Sequence, residues 1–173
     1  MLAHYQICQS GTDFAEYTLF FIKHRADFKR QFSLSDTLLH ILQASADDKI
    51  MLIKSPQNET IGWVHFKYLA SSYESDPQGE IAFVDSVIID NAYRSSRLFI
   101  EGFRHLISHI AEENKQVKQF EFHCLASQPY LNRLYSKFAT LKAQRECDDE
   151  LENIYLADFL QLQLYLNTTK SYN

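Results

Sequence analysis

Apolar residues recur at two different spacings along the chain, and the changes of spacing divide it into strands and helices. Residues 2–8 alternate as a short strand, and Ser10-Gly-Thr-Asp then offers capping residues to a helix. A second helix, capped by Ser33 or Ser35, follows it. The apolar side chains expected on the inner faces of these two helices are Phe14, Tyr17 and Phe21 in the first and Leu38, Leu39, Ile41 and Leu42 in the second.

From residue 49 onwards the spacing becomes that of strands. Three strands are predicted in succession, at residues 49–54, 59–69 and 79–90, and they form an antiparallel meander. A helix at residues 97–113 places Phe103, Leu106 and Ile110 on one face. The rest of the pattern predicts a buried strand at 118–125, a short helix at 129–138 and a hairpin at 141–147 and 151–159.

The predicted order is therefore β-α-α-β-β-β-α-β-α-β-β, an α/β (α+β) fold with a mixed, mostly antiparallel seven-stranded sheet and about four helices. A chain of 173 residues is long enough for one well-buried core and short for two, so residues 1–173 are expected to form a single domain. The apolar residues 160–166 are expected to extend the sheet or to pair with a second copy, which makes a homodimer one option.

The overall charge argues against broad contact with nucleic acid or anionic lipid, because 17 basic residues face 22 acidic ones, a net charge of −5. No stretch has the eighteen or more apolar residues of a spanning helix, and the first residues do not resemble a secretory signal. We expect a cytoplasmic protein. Cys8, Cys124 and Cys147 form no C-x-x-C pair, so they are predicted to be reduced, buried thiols.

The most informative stretch is residues 87–103, where an apolar strand ends in a polar turn and runs into an amphipathic helix. A helix start exposes unpaired backbone N–H groups and the positive end of the helix dipole, which together favour a phosphate. Arg94 and Arg97 flank Ser95 and Ser96 at this point and add charged donors. The junction is therefore predicted to hold a phosphorylated ligand, although a solvated helix start would look the same.

Two local sequences and the order of the elements resemble the Gcn5-related N-acetyltransferase (GNAT) family over nearly the whole chain. The sequence VIIDNAYRSSRLF is similar to the family's strand and loop before the central helix, with Arg94 on the first position of the loop signature. The sequence from Gln128 to Phe138 resembles the family's helix that ends in Leu-Tyr-x-Lys. Arg97 and Phe99 stand where the family's loop has glycine, and Ala139-Thr140 replaces the usual Gly-Phe.

The resemblance implies an N-acyltransferase that moves an acyl group from acetyl-CoA, or another acyl-CoA, directly to an amine of a small molecule or peptide. The resemblance implies that Tyr135 is the acid, which would protonate the departing thiolate, and that Asp85 is the base. The alternative for Tyr135 is a half-buried aromatic, and the alternative for Asp85 is a surface carboxylate. No metal is required. The residues implied to bind the cofactor are Val87, Ile88, Ile89, Arg94, Ser95, Ser96, Arg97, Leu98, Phe99, Gln128 and Asn132; Asn132 is equally compatible with capping the preceding loop.

The missing loop glycines favour two further hypotheses. One is a catalytically inactive GNAT-like binding or assembly module. The other is an acyltransferase that takes its acyl group from an acyl-carrier protein, whose acidic surface Arg94, Arg97 and Arg104 would meet.

Two histidine patterns are weaker candidates. His105 and His109 have the i,i+4 spacing of two metal ligands, but no H-E-x-x-H motif accompanies them, so a solvated helix face is the simpler interpretation. Trp63, His65 and Lys67 share one side of a strand by a period of two. They are expected either to line an acceptor pocket or to include a core tryptophan with a neighbouring histidine.

Overall fold

The computed structural model describes residues 3–27, 33–94, 96–147 and 150–168. Its elements confirm the predicted order and add one helix at the end. The strands are β1 His4–Ile7, β2 Lys49–Lys54, β3 Thr60–Leu69, β4 Ile81–Ile89, β5 Gln119–Leu125, β6 Thr140–Cys147 and β7 Glu150–Asp158. The helices are α1 Gly11–His24, α2 Leu34–Asp47, α3 Ser96–Glu113, α4 Pro129–Tyr135 and α5 Phe159–Thr168, with short 3-10 turns at Arg25–Asp27 and Asn91–Tyr93.

The seven strands form one mixed sheet in the order β1-β2-β3-β4-β5-β7-β6. The pairs β1–β2, β2–β3, β5–β7 and β6–β7 are antiparallel. Strands β4 and β5 are parallel, with pairs running from Ile81–Gln119 to Val84–Phe122, because the long helix α3 carries the chain back between them. The predicted α/β fold class is confirmed.

The fold divides into two compact units, of which the first comprises Met1–Phe66 and Ser86–His105. Its core is aromatic, and the fully buried side chains of Tyr17, Phe21 and Trp63 lie at its centre. Helix α1 begins with the predicted capping group, in which the Asp13 carboxylate accepts from the backbone N–H groups of Gln9 and Ser10 at 3.0 and 2.9 Å. These hydrogen bonds hold the pKa of Asp13 below its usual value, and the one from Gln9 has the largest effect.

Helix α2 turns a different face inward from the one predicted. Thr37, Ile41 and Ala44 are buried, whereas Leu38 and Leu42 are 43% and 69% exposed; the prediction of an inward leucine stripe, Leu39 included, was therefore wrong except at Ile41. The helix contacts α1 and β2 through side chains spaced by four and three residues. The covered face of α2 carries the short side chains of Thr37 and Ala44 beside Ile41, and the leucines lie on the exposed side.

The second unit comprises Lys67–Asp85 and Leu106–Asn173. Its core includes Phe120 and Phe122 of β5 and three residues of the last helix, Phe159, Leu162 and Leu166, all at most 5% exposed. The prediction that residues 160–166 extend the sheet was wrong, because their buried positions follow the helical spacing of three and four. Pairing of this segment with a second copy stays a prediction, as does the single domain over 1–173.

The predicted thiols can be followed at two positions. Cys8 and Cys124 are buried and free of disulfides, and burial raises their pKa values to about 12 and about 11. The side chain of Cys147 lies outside the described residues. Among the helices in the described part of the chain, none is both long and apolar enough to cross a bilayer.

Candidate active site

The end of β4 supplies the strand edge predicted to bind the cofactor. Val87 is 44% exposed, while Ile88 and Ile89 are both buried, so no simple alternation of covered and exposed side chains holds at the end of β4. Gly62 of β3 packs against the backbone of these isoleucines, because a Cβ atom added there would be 2.5 Å from the Ile88 carbonyl oxygen and 3.1 Å from Ile89 Cα. Only glycine permits the two backbones to come this close.

The turn after β4 is closed by its own polar groups. The Asp90 carboxylate accepts from the Ala92 N–H at 2.9 Å, and the Tyr93 N–H donates to the Asp90 carbonyl at 2.9 Å. Arg94 then folds back, and its Nε donates to the Ile89 carbonyl at 2.8 Å. Arg94 therefore braces the strand end with one N–H group, and the planar guanidinium has further donors on the same exposed side chain.

Helix α3 begins at Ser96, while Ser95 and the side chain of Ser96 lie outside the described residues. Arg97, at the position of the first missing glycine, is 78% exposed and pairs through Nε with Glu101 Oε1 at 2.9 Å. Leu98 is buried. Phe99, at the second missing glycine, is half-buried and stacks on Phe103 with ring centroids 6.0 Å apart. Both substitutions are thus accommodated along the helix itself.

Tyr135, the predicted acid, lies in the second unit within an aromatic cluster. It is 8% exposed, and its ring meets Phe122 edge-on at 4.5 Å and Tyr155 edge-on at 5.7 Å. Burial, followed by the nearby Cys124 and Tyr155 groups, raises the pKa of Tyr135 above its usual value. The phenol is therefore protonated at neutral pH, which a proton donor needs and which a core tyrosine would share.

Asn132 is the centre of a hydrogen-bond network one turn before Tyr135. Its Nδ2 donates to the carbonyls of Leu125 at 2.9 Å and Gln128 at 2.7 Å. Its Oδ1 accepts from the Tyr155 hydroxyl at 2.8 Å and also from Asn153 Nδ2. The side chain consequently ties α4 to the end of β5 and to β7, as the loop-capping alternative expects.

Gln128 and Asp85 are placed without such networks. Gln128 occupies the position before α4, and its side chain makes no capping hydrogen bond there. Asp85 lies on β4 in the second unit and is exposed, as the surface-carboxylate alternative expects. The cofactor role of Gln128 and the catalytic role of Asp85 both stay predictions.

The histidines and the tryptophan singled out from the sequence pack against neighbouring side chains. Trp63 and His65 are both fully buried and stack at 4.0 Å in the core of the first unit, which agrees with the core alternative. His105 stacks on Tyr5 at 4.2 Å, and His109 Nε2 lies 3.6 Å from a Glu113 carboxylate oxygen.

One cluster of ionisable residues was missed from the sequence. Glu121 and His123 of β5 have side chains that are only 6% exposed, and Lys142 and Arg145 of β6 approach them. The signal was present in the strict alternation of Gln119-Phe-Glu-Phe-His-Cys124, which puts polar residues on one face of a strand whose other face is in the core.

Comparisons with known proteins give a consistent answer at the level of fold. No family model matches the chain, and no curated protein sequence matches it. Solved structures do match. They include an acetyltransferase from Salmonella typhimurium that modifies the N-terminal serine of ribosomal protein L7/L12, with a TM-score of 0.63 and 16% identity over 89% of this chain and 94% of that one.

Two further matches have higher TM-scores. An acetyltransferase assigned to the GNAT family from Desulfovibrio desulfuricans gives 0.66 at 6% identity, covering 91% of this chain and 99% of its own. A spermidine N-acetyltransferase chimera, SpeG from Vibrio cholerae with hSSAT, gives 0.69 at 9% identity, covering 92% and 96%. The matched structures are acetyltransferases whose length this chain spans almost completely, and the chain therefore has the fold of the Gcn5-related N-acetyltransferases.

Proposed function

We propose that this chain is an N-acyltransferase that uses acetyl-CoA, or a related acyl-CoA, and transfers the acyl group directly to an amine. The observation that carries the proposal is the junction from β4 to α3, where the strand end and a tight turn lead into the long helix, with the exposed Arg94 before the helix and the exposed Arg97 in its first turn. The resemblance to the GNAT family implies that the cofactor binds at this junction. The acceptor is proposed to be a small-molecule or peptide amine.

The residues of the junction fit a thioester cofactor. The backbone of Val87 to Ile89 would pair with the pantetheine amides, and the first N–H groups of α3 with Arg94 and Arg97 would hold the pyrophosphate. Arg97 is exposed on the helix surface and its ion pair with Glu101 leaves other guanidinium N–H groups for an anion. The Ile89 carbonyl already accepts from Arg94, so a pantetheine amide would share this oxygen.

The chemistry assigned to the second unit is proton transfer. The amine nitrogen attacks the thioester carbonyl carbon, the carbon–sulfur bond breaks, and the sulfur takes the proton of the Tyr135 hydroxyl, which Tyr135 regains from the proton that the nitrogen loses as the amide forms. A phenol carries its proton at neutral pH, and burial raises the pKa of Tyr135 further. Asp85, exposed on β4, is proposed to accept the proton of the attacking ammonium, directly or through water.

The test is a thermal-shift and calorimetric titration of the purified protein with acetyl-CoA. Saturation to 100 times the dissociation constant should stabilise the fold by about 2.7 kcal/mol, and Arg94→Gln should weaken binding. Gln43→Ala, an exposed change on α2, serves as the matched control. Absence of both heat and stabilisation at millimolar acetyl-CoA would remove the acetyl-CoA version of the proposal.

Tyr135→Phe separates the acid from a packing role. The phenyl ring keeps the contacts with Phe122 and Tyr155, so binding of acetyl-CoA should persist while turnover with an amine acceptor falls by about 10²-fold. Unchanged turnover in this variant would leave Tyr135 as a core aromatic.

The inactive binding module is the second candidate, and the side chains at the loop positions favour it. Arg97 is paired with Glu101 and Phe99 is stacked on Phe103 at the places where the family has glycine. The double variant Arg97→Gly with Phe99→Gly distinguishes the two candidates. Acetyl-CoA binding that appears only in the double variant supports the inactive module, and turnover by the unaltered chain excludes it.

The third hypothesis, an acyl-carrier protein as the donor, has its own test. Arg104→Glu should weaken binding of the carrier protein and leave binding of free acyl-CoA unaffected.

A further inference from the structure

A cavity of about 330 Å³ opens in the second unit, and none of the residues that line it was assigned to a site from the sequence. Its walls come from the end of β3, the following loop and strands β4 to β7. The residues that line it are Leu69, Tyr73, Phe83, Glu121, His123, Lys142, Ala143, Arg145 and Ile154. The volume is at the lower end of the range for small-molecule sites.

The carboxylates around the cavity are buried and already neutralised. The Glu121 side chain is 6% exposed, and its Oε2 accepts from the Tyr73 hydroxyl at 2.7 Å and from Lys142 Nζ at 3.0 Å. Glu152, behind the lining, is 16% exposed and pairs with Arg145 at 2.7 Å. Neither carboxylate presents an open charged surface to a ligand.

The cations, in contrast, are accessible. The side chains of Lys142 and Arg145 are 36% and 52% exposed. Arg145 is held in place by three contacts, because its Nε donates to Glu152 Oε2 at 2.7 Å and its Nη2 lies 2.7 Å from the same carboxylate and donates to His123 Nδ1 at 3.1 Å. A guanidinium has five N–H groups, so Arg145 retains the donors of Nη1. An ammonium has three, and Lys142, which contacts Glu121 and the Tyr73 hydroxyl, retains one.

The two cations of the wall are matched by the two carboxylates next to them. Lys142 pairs with Glu121 and Arg145 pairs with Glu152. Because the carboxylates are the buried members of these pairs and the cations are the more exposed ones, an anion entering from solvent meets the cations first.

The rest of the wall is apolar. Leu69, Phe83, Ala143 and Ile154 contribute aliphatic and aromatic surface on three strands and a strand end. We propose that this cavity binds a small organic carboxylate with an apolar body, whose carboxylate accepts from Lys142 and Arg145 while the body packs on Leu69, Phe83 and Ile154. This site is independent of the acyl-transfer proposal, because the residues named for the two do not overlap.

The test compares four ligands that share a six-carbon chain and differ in their polar group. Their binding to the full chain is measured by ligand-observed NMR titration. Hexanoate should bind with a dissociation constant on the order of 1 mM. Hexanol should bind at least about 5-fold more weakly, since it lacks the charge, and hexylammonium more weakly still. Hexanamide, which is neutral but has an acceptor oxygen, should resemble hexanol. Added salt should weaken hexanoate alone.

Variants of exposed residues locate the binding. Lys142→Gln and Arg145→Gln should each weaken hexanoate by about 5- to 10-fold and leave hexanol unchanged. Ala143→Phe should fill the cavity and abolish both ligands. Leu141→Phe is the matched control, because Leu141 lies on the same strand, is 51% exposed and does not line the cavity. Circular dichroism shows that each variant is folded, and acetyl-CoA binding, measured in parallel, tests the acyl-transfer proposal separately.

The proposal is overturned by any of three results. These are no hexanoate binding at 10 mM, equal or tighter binding of hexylammonium, and hexanoate binding that survives Ala143→Phe. Selective hexanoate binding that is lost in Ala143→Phe and retained in Leu141→Phe establishes the site.

Discussion

Removal of the Asn132 side chain should destabilise the second unit strongly. Three of the hydrogen bonds of this side chain have ordinary lengths of 2.7 to 2.9 Å, namely those to the carbonyls of Leu125 and Gln128 and the one from the Tyr155 hydroxyl. A buried hydrogen bond contributes about 1 kcal/mol net, so Asn132→Ala should lower the free energy of unfolding by about 3 kcal/mol. For a chain of this length that corresponds to a fall in Tm of about 6–12 °C.

Urea denaturation followed by circular dichroism measures the effect, and two variants sharpen it. Tyr155→Phe removes one bond and should cost about 1 kcal/mol. Asn132→Asp keeps the volume and the acceptor but turns an oxygen towards two carbonyls, so it should cost at least as much as alanine. An Asn132→Ala protein within about 1 kcal/mol of the unaltered chain would refute the view that this network holds α4.

Three other outcomes follow from single contacts. Gly62→Ala should lower the free energy of unfolding by about 1–3 kcal/mol, because the new Cβ would lie 2.5 Å from the Ile88 carbonyl oxygen. Gly11→Ala, with no atom within 4 Å of its Cβ, should not lower it, and thermal melts of both variants test the difference. The lowered pKa of Asp13 gives stability that is present above the unfolded-state value of about 3.9 and is lost as pH falls through the lower folded-state value. The Asp13→Asn protein should therefore lose less of its urea stability below about pH 4 than the unaltered chain, and an equally steep loss would contradict this. The thiol of Cys8, with its pKa raised to about 12, should resist iodoacetamide at pH 8 until urea is added, and peptide mapping would reveal any early labelling.

The periodicity of apolar residues was sufficient for most of the fold, because a period of two or near 3.6 reports local backbone geometry directly. It failed at α5, where an apolar segment follows β7 without glycine or proline, so that nothing in the local pattern marks the change from strand to helix. It also failed at α2, where Thr37 and Ala44 pack inward and Leu38 lies outside. Which face of a helix is covered depends on the neighbouring elements.

The site was predictable to the extent that it follows one stretch of chain. The junction from β4 to α3 could be recognised from its sequence, and its turn and helix start lie at the expected residues. The network of Asn132 could not, since its partner Tyr155 is 23 residues away. The cations of the cavity were missed for the same reason, because Lys142 lies 21 residues from Glu121. Long-range pairs of this kind appear only when the strand register is known.

Trp63 has a practical consequence, because it is the only tryptophan in the chain and is fully buried in the first unit. Its indole emission reports solvent entry into that unit alone, and the imidazole stacked on it at 4.0 Å makes the emission sensitive to small ring displacements. The second unit carries no indole, but it holds seven of the ten tyrosines, so it dominates the tyrosine signal in the near ultraviolet. The two spectroscopic signals can therefore reveal whether both units melt in a single cooperative step.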